Sequence, residues 1–280
     1  MEDLFWLTLS NAEYLSNKEK YGLVQKFKSA KAIFEAGYSE ILESRIIIPY
    51  KIDRLLNERL TEEFEESLFE KGIKFCTISD SDYPEHLKNI YAPPVLLYYY
   101  GNLPEQTCVG VVGSRKTTQT GRDKAFSVSK ALASKGICVV SGMARGIDSC
   151  AHHGALESGM TAAVIGSGLD VCYPSENKFL MERIAESGCV ISEFPPQKNP
   201  SRYTFPARNR IISGMSEAVI VVEAAAKSGA LITADFALEQ GREVFAFCNA
   251  GGEQSKGTDL LIAEGAIPIY DVEQFISNYT

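Results

Sequence analysis

The feature that most constrains the fold begins after Gly101, where short apolar runs alternate with segments of helical pattern up to the C-terminus. Runs such as VGVV and VIVV are apolar at every position, as in strands that are covered on both faces. Strand and helix in regular alternation indicate βαβ units and a mostly parallel sheet. We therefore predict an α/β fold built on a Rossmann-like, doubly wound and mostly parallel sheet.

The individual elements follow from the apolar runs and the helical spacing between them. The predicted strands cover residues 108–112, 137–141, 161–165, 189–193, 218–222, 243–247 and 267–270. The predicted helices cover residues 122–134, 148–157, 175–187 and 228–239. The first 70 residues differ, because their apolar positions are separated by charged stretches such as the acidic run at 62–66. We expect a small helical domain over residues 1–70 and the Rossmann-like domain over residues 71–280.

Composition excludes several classes of protein. No apolar run reaches the ~18–20 residues of a membrane span. The N-terminal MEDLFWLTLS carries acids where a signal peptide carries Lys or Arg. The seven cysteines stand singly, without a CxxC pair, which argues against a zinc site or a disulfide framework. We expect a cytoplasmic protein that has no contact with membranes and no metal or cofactor.

Glycine and serine follow several of the predicted strands, at the sheet edge where open parallel sheets bind their ligands. Glycine lets the backbone approach a ligand closely, and helix N-termini offer free N–H groups to an anion. The turns therefore predict a phosphate-binding edge, although any single βα turn needs glycine for structural reasons as well. The residues of these turns are Gly113, Ser114, Arg115, Ser141, Gly142, Gly166, Ser167, Gly168, Lys227, Ser228 and Gly229.

The charge pattern is uneven. A net charge of −8 argues against nucleic acid as a partner, but a binding face needs only a local basic field. Between Glu193 and Glu217 the chain carries four basic residues and no acid, and a second acid-free cluster covers residues 115–122. The alternative interpretation is a solvated basic surface. The basic residues of the two clusters are Arg115, Lys116, Arg122, Lys198, Arg202, Arg208 and Arg210.

Motifs of common enzymes are absent from the sequence. There is no GxxxxGK[ST] loop and no GxSxG elbow, and the GSGLDV run has Val171 where a dinucleotide-binding motif has its third glycine. The neighbouring His152 and His153 form no HExxH pattern, and Asp148 and Asp170 stand where a helix start or a turn uses them structurally. No complete catalytic set can be assembled, so we predict a binding protein rather than an enzyme.

The block FPARNRIISGMS at 205–216 resembles the signature of the DprA (Smf) DNA-processing family. GSR at 113–115, SGMARGID at 141–148, GSGLDVCYP at 166–174, VVEAAAKSGALITA at 221–234 and GREVFA at 241–246 resemble it too, as does YPEHL…APPVLLYYYGN at 83–102. The resemblance covers roughly residues 75–270.

The resemblance implies an extended Rossmann domain that binds and protects single-stranded DNA, forms a homodimer, and loads a RecA-type recombinase in natural transformation and DNA recombination. It also implies a SAM-like N-terminal domain, and we expect no C-terminal winged-helix domain. The apolar segment 257–270 is our candidate for the dimer contact. The alternative function is a phosphoribohydrolase-like nucleotide-processing enzyme on a related fold, although the PGGxGTxxE block of such enzymes is missing and only Glu223 offers a stray carboxylate.

Carried over residue by residue, the resemblance implies DNA contacts at Arg115, Arg202 and the FPARNR block. Lys178 is the candidate for a lysine that the family places directly after YP, where this chain has Ser175. Phe205 either stacks on bases or packs in the core, and Arg208 and Arg210 either contact DNA or hold their segment by pairing with an acid such as Glu193 or Glu223. The set of candidate DNA-binding residues therefore contains the turn residues named above and six more. These six are Lys178, Arg202, Phe205, Arg208, Asn209 and Arg210. We expect Arg115 and the 202–210 segment to meet at one crevice.

Overall fold

The structure is a computed structural model that describes residues 2–279. Within this range nine strands form one sheet, in the order β1-β2-β6-β5-β4-β3-β7-β8-β9. The strands are β1 (Lys74–Thr77), β2 (Leu96–Gly101), β3 (Cys108–Val112), β4 (Cys138–Ser141), β5 (Thr161–Val164), β6 (Cys189–Ser192), β7 (Ala218–Val221), β8 (Glu243–Phe247) and β9 (Ile267–Ile269).

The sheet confirms the predicted doubly wound α/β fold. The strands from β3 to β9 pair in parallel, whereas β2 pairs antiparallel with both β1 and β6. From β3 the chain builds outward to β6 and then returns to add β7, β8 and β9 on the other side of β3. The order therefore reverses between β3 and β7, which is the point where doubly wound sheets open a crevice for ligands.

The helices fill both faces of this sheet. They are α1 (Glu2–Asn11), α2 (Asn17–Phe27), α3 (Ala30–Ser44), α4 (Pro49–Asn57), α5 (Glu62–Glu70), α6 (Glu85–Lys88), α7 (Gln119–Ser134), α8 (Ile147–Leu156), α9 (Lys178–Ser187), α10 (Thr204–Met215), α11 (Gly229–Glu239), α12 (Lys256–Ala263) and α13 (Val272–Tyr279). Helices α7, α8 and α13 share a core with one face of the sheet, and α6, α10, α11 and α12 share a core with the other.

Helix α10 is absent from the sequence-based prediction, which treats residues 202–210 only as a basic segment. All residues from Arg208 to Met215 are buried, so the helix shows no amphipathic stripe that periodicity could detect. Pro206 lies in its first turn, where a missing backbone N–H costs no hydrogen bond.

The N-terminal helices pack directly on the sheet. Leu7 of α1, Ile33 of α3, Tyr98 of β2 and Ile184 of α9 belong to one buried cluster. The side-chain amide of Asn11 also donates to the Tyr98 hydroxyl at 2.6 Å. The helical region is thus present as predicted, while a domain boundary at residue 70 stays a prediction, and the predicted outer limits at residues 1 and 280 lie outside the described residues.

In residues 2–279 no helix combines the length and the apolar character that a bilayer crossing requires. All seven cysteines are free thiols. Within the same part of the chain, no group of three His, Cys, Asp or Glu side chains is placed to hold a metal ion.

Candidate nucleic-acid interface

A cleft of about 430 Å³ opens at the switch point between β3 and β7. The turn after β3 forms one wall, the first turns of α10 form another, and the N-terminus of α11 closes the third side. The predicted site residues that line the cleft are Gly113, Ser114, Arg115, Phe205, Arg208, Asn209, Ser228 and Gly229. A smaller recess beside it is lined by Gly142 and Gly166 together with Arg145 and Tyr173.

Arg115 and Phe205 meet at the mouth of this cleft. The Arg115 guanidinium lies 5.1 Å from the centroid of the Phe205 ring, and that ring lies 5.5 Å from the ring of Tyr173. Arg115 is exposed, Phe205 is half-buried and Tyr173 is 44% exposed. These three residues, which we call the Arg115 stack, place a cation and two aromatic faces side by side. The structure therefore brings Arg115 and the N-terminal end of α10 together, as their positions after strands of one sheet edge indicate.

Arg208 lies beneath the Arg115 stack and is fully enclosed. Its Nη1 donates to the carbonyl oxygen of Gly142 at 2.5 Å and to that of Val164, and its Nε donates to Oδ1 of Asn209 at 3.1 Å. A Cβ atom at position 142 would lie 2.4 Å from the guanidinium, so glycine there admits the arginine. Burial lowers the pKa of Arg208 to about 10, against the opposing effect of Asp148. Arg208 thus ties α10 to the carboxyl ends of β4 and β5.

Asp148 is the buried anion of the cleft. Its Oδ2 accepts from the backbone N–H of Ala144 at 3.3 Å. Burial raises the pKa of Asp148, whereas the nearby charges of Arg208 and Arg115 lower it. Asp148 therefore balances part of the cationic charge at the first turn of α8.

Arg210 points away from the cleft into a buried ion pair with Glu193. The same Glu193 oxygen accepts from the side-chain amide of Asn17 at 2.8 Å. The sequence leaves open whether Arg208 and Arg210 contact DNA or hold their own segment in place. The contacts of both side chains are of the second kind.

Other predicted site residues lie outside the cleft. The Ser141 hydroxyl donates to the Val111 carbonyl at 2.6 Å and the Ser167 hydroxyl to the Val171 carbonyl at 2.7 Å, so both serve the backbone. Gly168 packs against the carbonyl oxygens of residues 195 and 196. Three of the predicted site residues are exposed cations that line neither the cleft nor the recess, namely Lys178, Arg202 and Lys227. Arg202 instead stacks on Tyr203, with 4.7 Å between the guanidinium and the ring centroid.

The site prediction did not include several residues that line these spaces. Lys116 follows Arg115 in the same turn, and Arg145 borders the recess, where its Nη2 donates to Oε2 of Glu176 at 2.8 Å. Arg145 carries a signal that sequence reasoning could have used, because it is a cation in the loop after a predicted strand. Tyr173 stands in the GSGLDVCYP run that carries the family resemblance, but its contact with Phe205 depends on how α10 crosses the sheet and could not be read from that run.

Fold and site together define a Rossmann-like α/β protein with a cationic, aromatic cleft at the switch point of its sheet. The family model described as DNA recombination-mediator protein A matches residues 74–280, and the chain belongs to this family. The resemblance found in the sequence is thereby confirmed.

Relatives and solved structures agree. The chain is 46% identical to the DNA processing protein DprA of Streptococcus pneumoniae over 202 residues, which cover 71% of each chain. It is 36% identical to Protein Smf of Synechocystis over 299 residues, covering 98% of this chain and 75% of the relative. The X-ray structure of the S. pneumoniae DNA processing protein A superimposes with a TM-score of 0.87 at 35% identity, covering 99% of this chain and 98% of that one.

A second solved structure is the DNA processing protein A of Helicobacter pylori, which was studied for its single-stranded DNA binding mode. It matches with a TM-score of 0.66 at 29% identity, covering 74% of this chain and 95% of that one.

Proposed function

We propose that this protein binds single-stranded DNA in the cleft at the switch point and acts in DNA processing as a binding mediator rather than as an enzyme. The observation that carries the proposal is the Arg115 stack, because it offers a phosphate partner and base-stacking surfaces within one nucleotide's reach of each other. The H. pylori relative, described by its single-stranded DNA binding mode, supports the same ligand.

Each wall of the cleft contributes one kind of contact. Arg115 and Lys116 neutralise phosphates, and the N-terminus of α11, with Ser228 as its cap, adds backbone N–H groups and the positive end of the helix dipole. Phe205 and Tyr173 present ring faces to unstacked bases. A cleft of about 430 Å³ has the size of a small-ligand site, and it holds a splayed nucleotide rather than a duplex.

The test compares single-stranded and duplex DNA of equal length by fluorescence anisotropy. We expect preference for the single strand, with log K falling against log[salt] at a slope of about −2 to −3.5 if three to five phosphates are neutralised. Arg115→Glu is expected to abolish binding, whereas Lys130→Glu, the same charge change on the exposed side of α7, leaves binding nearly intact. Tighter binding to duplex, or wild-type affinity in Arg115→Glu at low salt, contradicts the proposed site.

The proposal extends to protection of the strand and to loading of a RecA-type recombinase in transformation and recombination, as the family resemblance implies. With a strand pre-coated by a single-strand-binding protein, we expect this chain to accelerate recombinase filament formation, measured by the recombinase's DNA-dependent ATP hydrolysis. Arg115→Glu is expected to remove the acceleration. Incubation with nucleoside monophosphates is expected to release no base, and release of base would support the phosphoribohydrolase-like alternative.

We further propose that the protein is a homodimer that pairs through residues 257–270. Leu260 on α12 and Ile267 on the edge strand β9 are both more than two-fifths exposed, at 46% and 42%. Apolar side chains beside an open strand edge favour association. Sedimentation at tens of micromolar is expected to show a dimer that Leu260→Glu dissociates, and a wild-type monomer under these conditions would exclude it.

A further inference from the structure

We infer that Glu223 is a positioning residue, which holds the turn of Arg115 in the conformation that binds DNA. The inference rests on the proposed function and adds to it a residue that touches no DNA itself. Glu223 lies two residues after the end of β7, beside the end of β3 at the switch point, and it is only 3% exposed.

Glu223 holds the turn at both of its ends. Its backbone carbonyl accepts from the N–H of Ser114 at 2.7 Å. Its carboxylate accepts from the Thr117 hydroxyl at 2.5 Å and from the Thr118 N–H at 2.9 Å through Oε2, and from the Thr118 hydroxyl through Oε1. Arg115 and Lys116, the two cations of the turn, lie between these anchor points. One residue therefore defines the path of the segment that carries both cations.

The Glu223 carboxylate is held by these hydrogen-bond donors, and Lys124 lies near enough to interact with it by charge without forming an ion pair. Among residues 2–279 no Lys, Arg or His side chain forms an ion pair with its carboxylate. The carboxylate instead faces the N-terminus of α7, where Thr118 is the cap residue and the helix dipole favours an anion. Hydrogen bonds to a carboxylate are stronger than those to a neutral acceptor, so loss of the charge alone loosens the turn.

Packing fixes the carboxylate in place. A Cβ atom at position 121 would lie 2.3 Å from Cδ of Glu223, so Gly121 leaves room for the carboxylate against the first turn of α7. Both carboxylate oxygens accept hydrogen bonds from the turn, Oε2 from Thr117 and the Thr118 N–H and Oε1 from the Thr118 hydroxyl. The carboxylate that the sequence offers to the enzymatic alternative thus has a structural assignment.

The expected consequence is a change in the population of the binding-competent turn. If the ordered turn falls to about a tenth of molecules without the carboxylate, the apparent Kd for single-stranded DNA rises about tenfold. Glu223→Gln keeps the size of the side chain but removes its charge and one acceptor. Thr117→Val removes a single donor and is expected to have a smaller effect in the same direction.

The decisive experiment is a double-mutant cycle of single-stranded DNA affinity with wild type, Glu223→Gln, Arg115→Ala and the double variant. Because Glu223 acts through the turn that carries Arg115 and Lys116, the loss caused by Glu223→Gln is expected to be smaller in the Arg115→Ala background than in wild type, and the remainder reflects Lys116. Additive losses, or wild-type affinity in Glu223→Gln, would overturn the positioning role while leaving the proposed function intact. If Glu223→Gln does not fold, Thr117→Val takes its place in the cycle.

A second readout needs no DNA. Amide hydrogen exchange at residues 114–118 is expected to be faster in Glu223→Gln than in wild type, with exchange in β5 and β6 unchanged. Unchanged exchange in the turn contradicts the inference. Failure of the wild type to bind single-stranded DNA would instead overturn the proposed function, and the exchange measurement would still report on the turn.

Discussion

Arg210 and Glu193 form an ion pair in which only 11% and 4% of the respective side chains are exposed. The pair joins α10, whose first turn carries Phe205, to the loop after β6. Asn17 extends the pair to the N-terminal helices through its hydrogen bond to Glu193. These contacts therefore hold α10 against the sheet and the N-terminal helices, away from the residues that line the cleft.

Removal of one partner from this pair is expected to destabilise the fold strongly. Arg210→Met removes the ion-pair partner of the buried Glu193 carboxylate, which costs about 3–5 kcal/mol of unfolding free energy. Urea denaturation measures the loss. The double variant Arg210→Met/Glu193→Leu is expected to recover most of it, and a double variant as unstable as the single one would show that packing rather than charge carries the effect.

Arg208→Met is expected to lower stability by several kcal/mol, because the carbonyls of Gly142 and Val164 lose their donor and the buried Asp148 loses a counter-charge. The matched control is Arg202→Met, since Arg202 is exposed and exposed substitutions usually stay within ~0.5 kcal/mol. Thermal unfolding compares the two variants. Equal melting temperatures would contradict the structural role of Arg208.

Tyr173→Ser is expected to weaken single-stranded DNA binding by about 1–3 kcal/mol, the usual contribution of one aromatic platform to one base. Because the ring carries no charge, the slope of log K against log[salt] should stay the same. Tyr173→Phe is the control and should bind as the wild type does. A change in salt slope would indicate that Tyr173 acts through the placement of a cation instead.

Glu176→Gln is expected to strengthen DNA binding modestly. Arg145 and Glu176 form a surface ion pair whose side chains are 61% and 50% exposed, so the pair contributes at most about 1 kcal/mol and a phosphate can replace the carboxylate. Release of Arg145 should make the salt slope steeper by about 0.7. Glu182→Gln, an exposed change on α9 outside the recess, serves as control. Weaker binding in Glu176→Gln would exclude Arg145 as a phosphate contact.

His152 is expected to make the fold acid-sensitive. Its Nδ1 lies 2.7 Å from the Thr161 hydroxyl, and since that hydroxyl donates to the Val139 carbonyl, Nδ1 carries the proton and the ring is neutral. Burial, then the charges of His153 and Arg208, lower the pKa of His152 to about 3. The unfolded chain protonates near pH 6.5, so this stability is complete above that value and is lost as the pH falls toward 3, by about 1.4 kcal/mol per pH unit.

The measurement is the free energy of unfolding in urea at several pH values between 7 and about 4. His152→Asn retains a donor toward Thr161 but does not titrate, so its profile should be flatter than that of the wild type. His86→Asn alters an exposed histidine and serves as control. Parallel profiles for His152→Asn and wild type would contradict the assignment.

The strands from β3 to β9 are predictable from the sequence to within one residue at each end, because strands covered on both faces are continuously apolar. The meeting of Arg115 with the FPARNR segment follows from the sheet topology. The burial of Arg210 does not follow from local pattern, since its partner lies in another loop and the supporting Asn17 lies 176 positions from Glu193. Hydrophobic periodicity does not reveal helix α10, because the helix is buried on all sides from Arg208 onward. The role of Glu223 depends on a contact with a residue 105 positions away in the chain.

The antiparallel pairing of β2 has a consequence for biosynthesis. Tyr98 pairs with Ser192 and Gly101 with Cys189, so β2 leaves the ribosome long before β6 exists. At about 5–20 residues per second, the β2 edge stays without its partner for several seconds. The apolar sequence LLYYYG is prone to pair with other chains during that interval. The N-terminal helices are already synthesised by then. Through contacts such as that of Asn11 with Tyr98, they cover one face of the nascent strand. The hydrogen-bonding edge of β2 that pairs with β6 stays open until β6 is made.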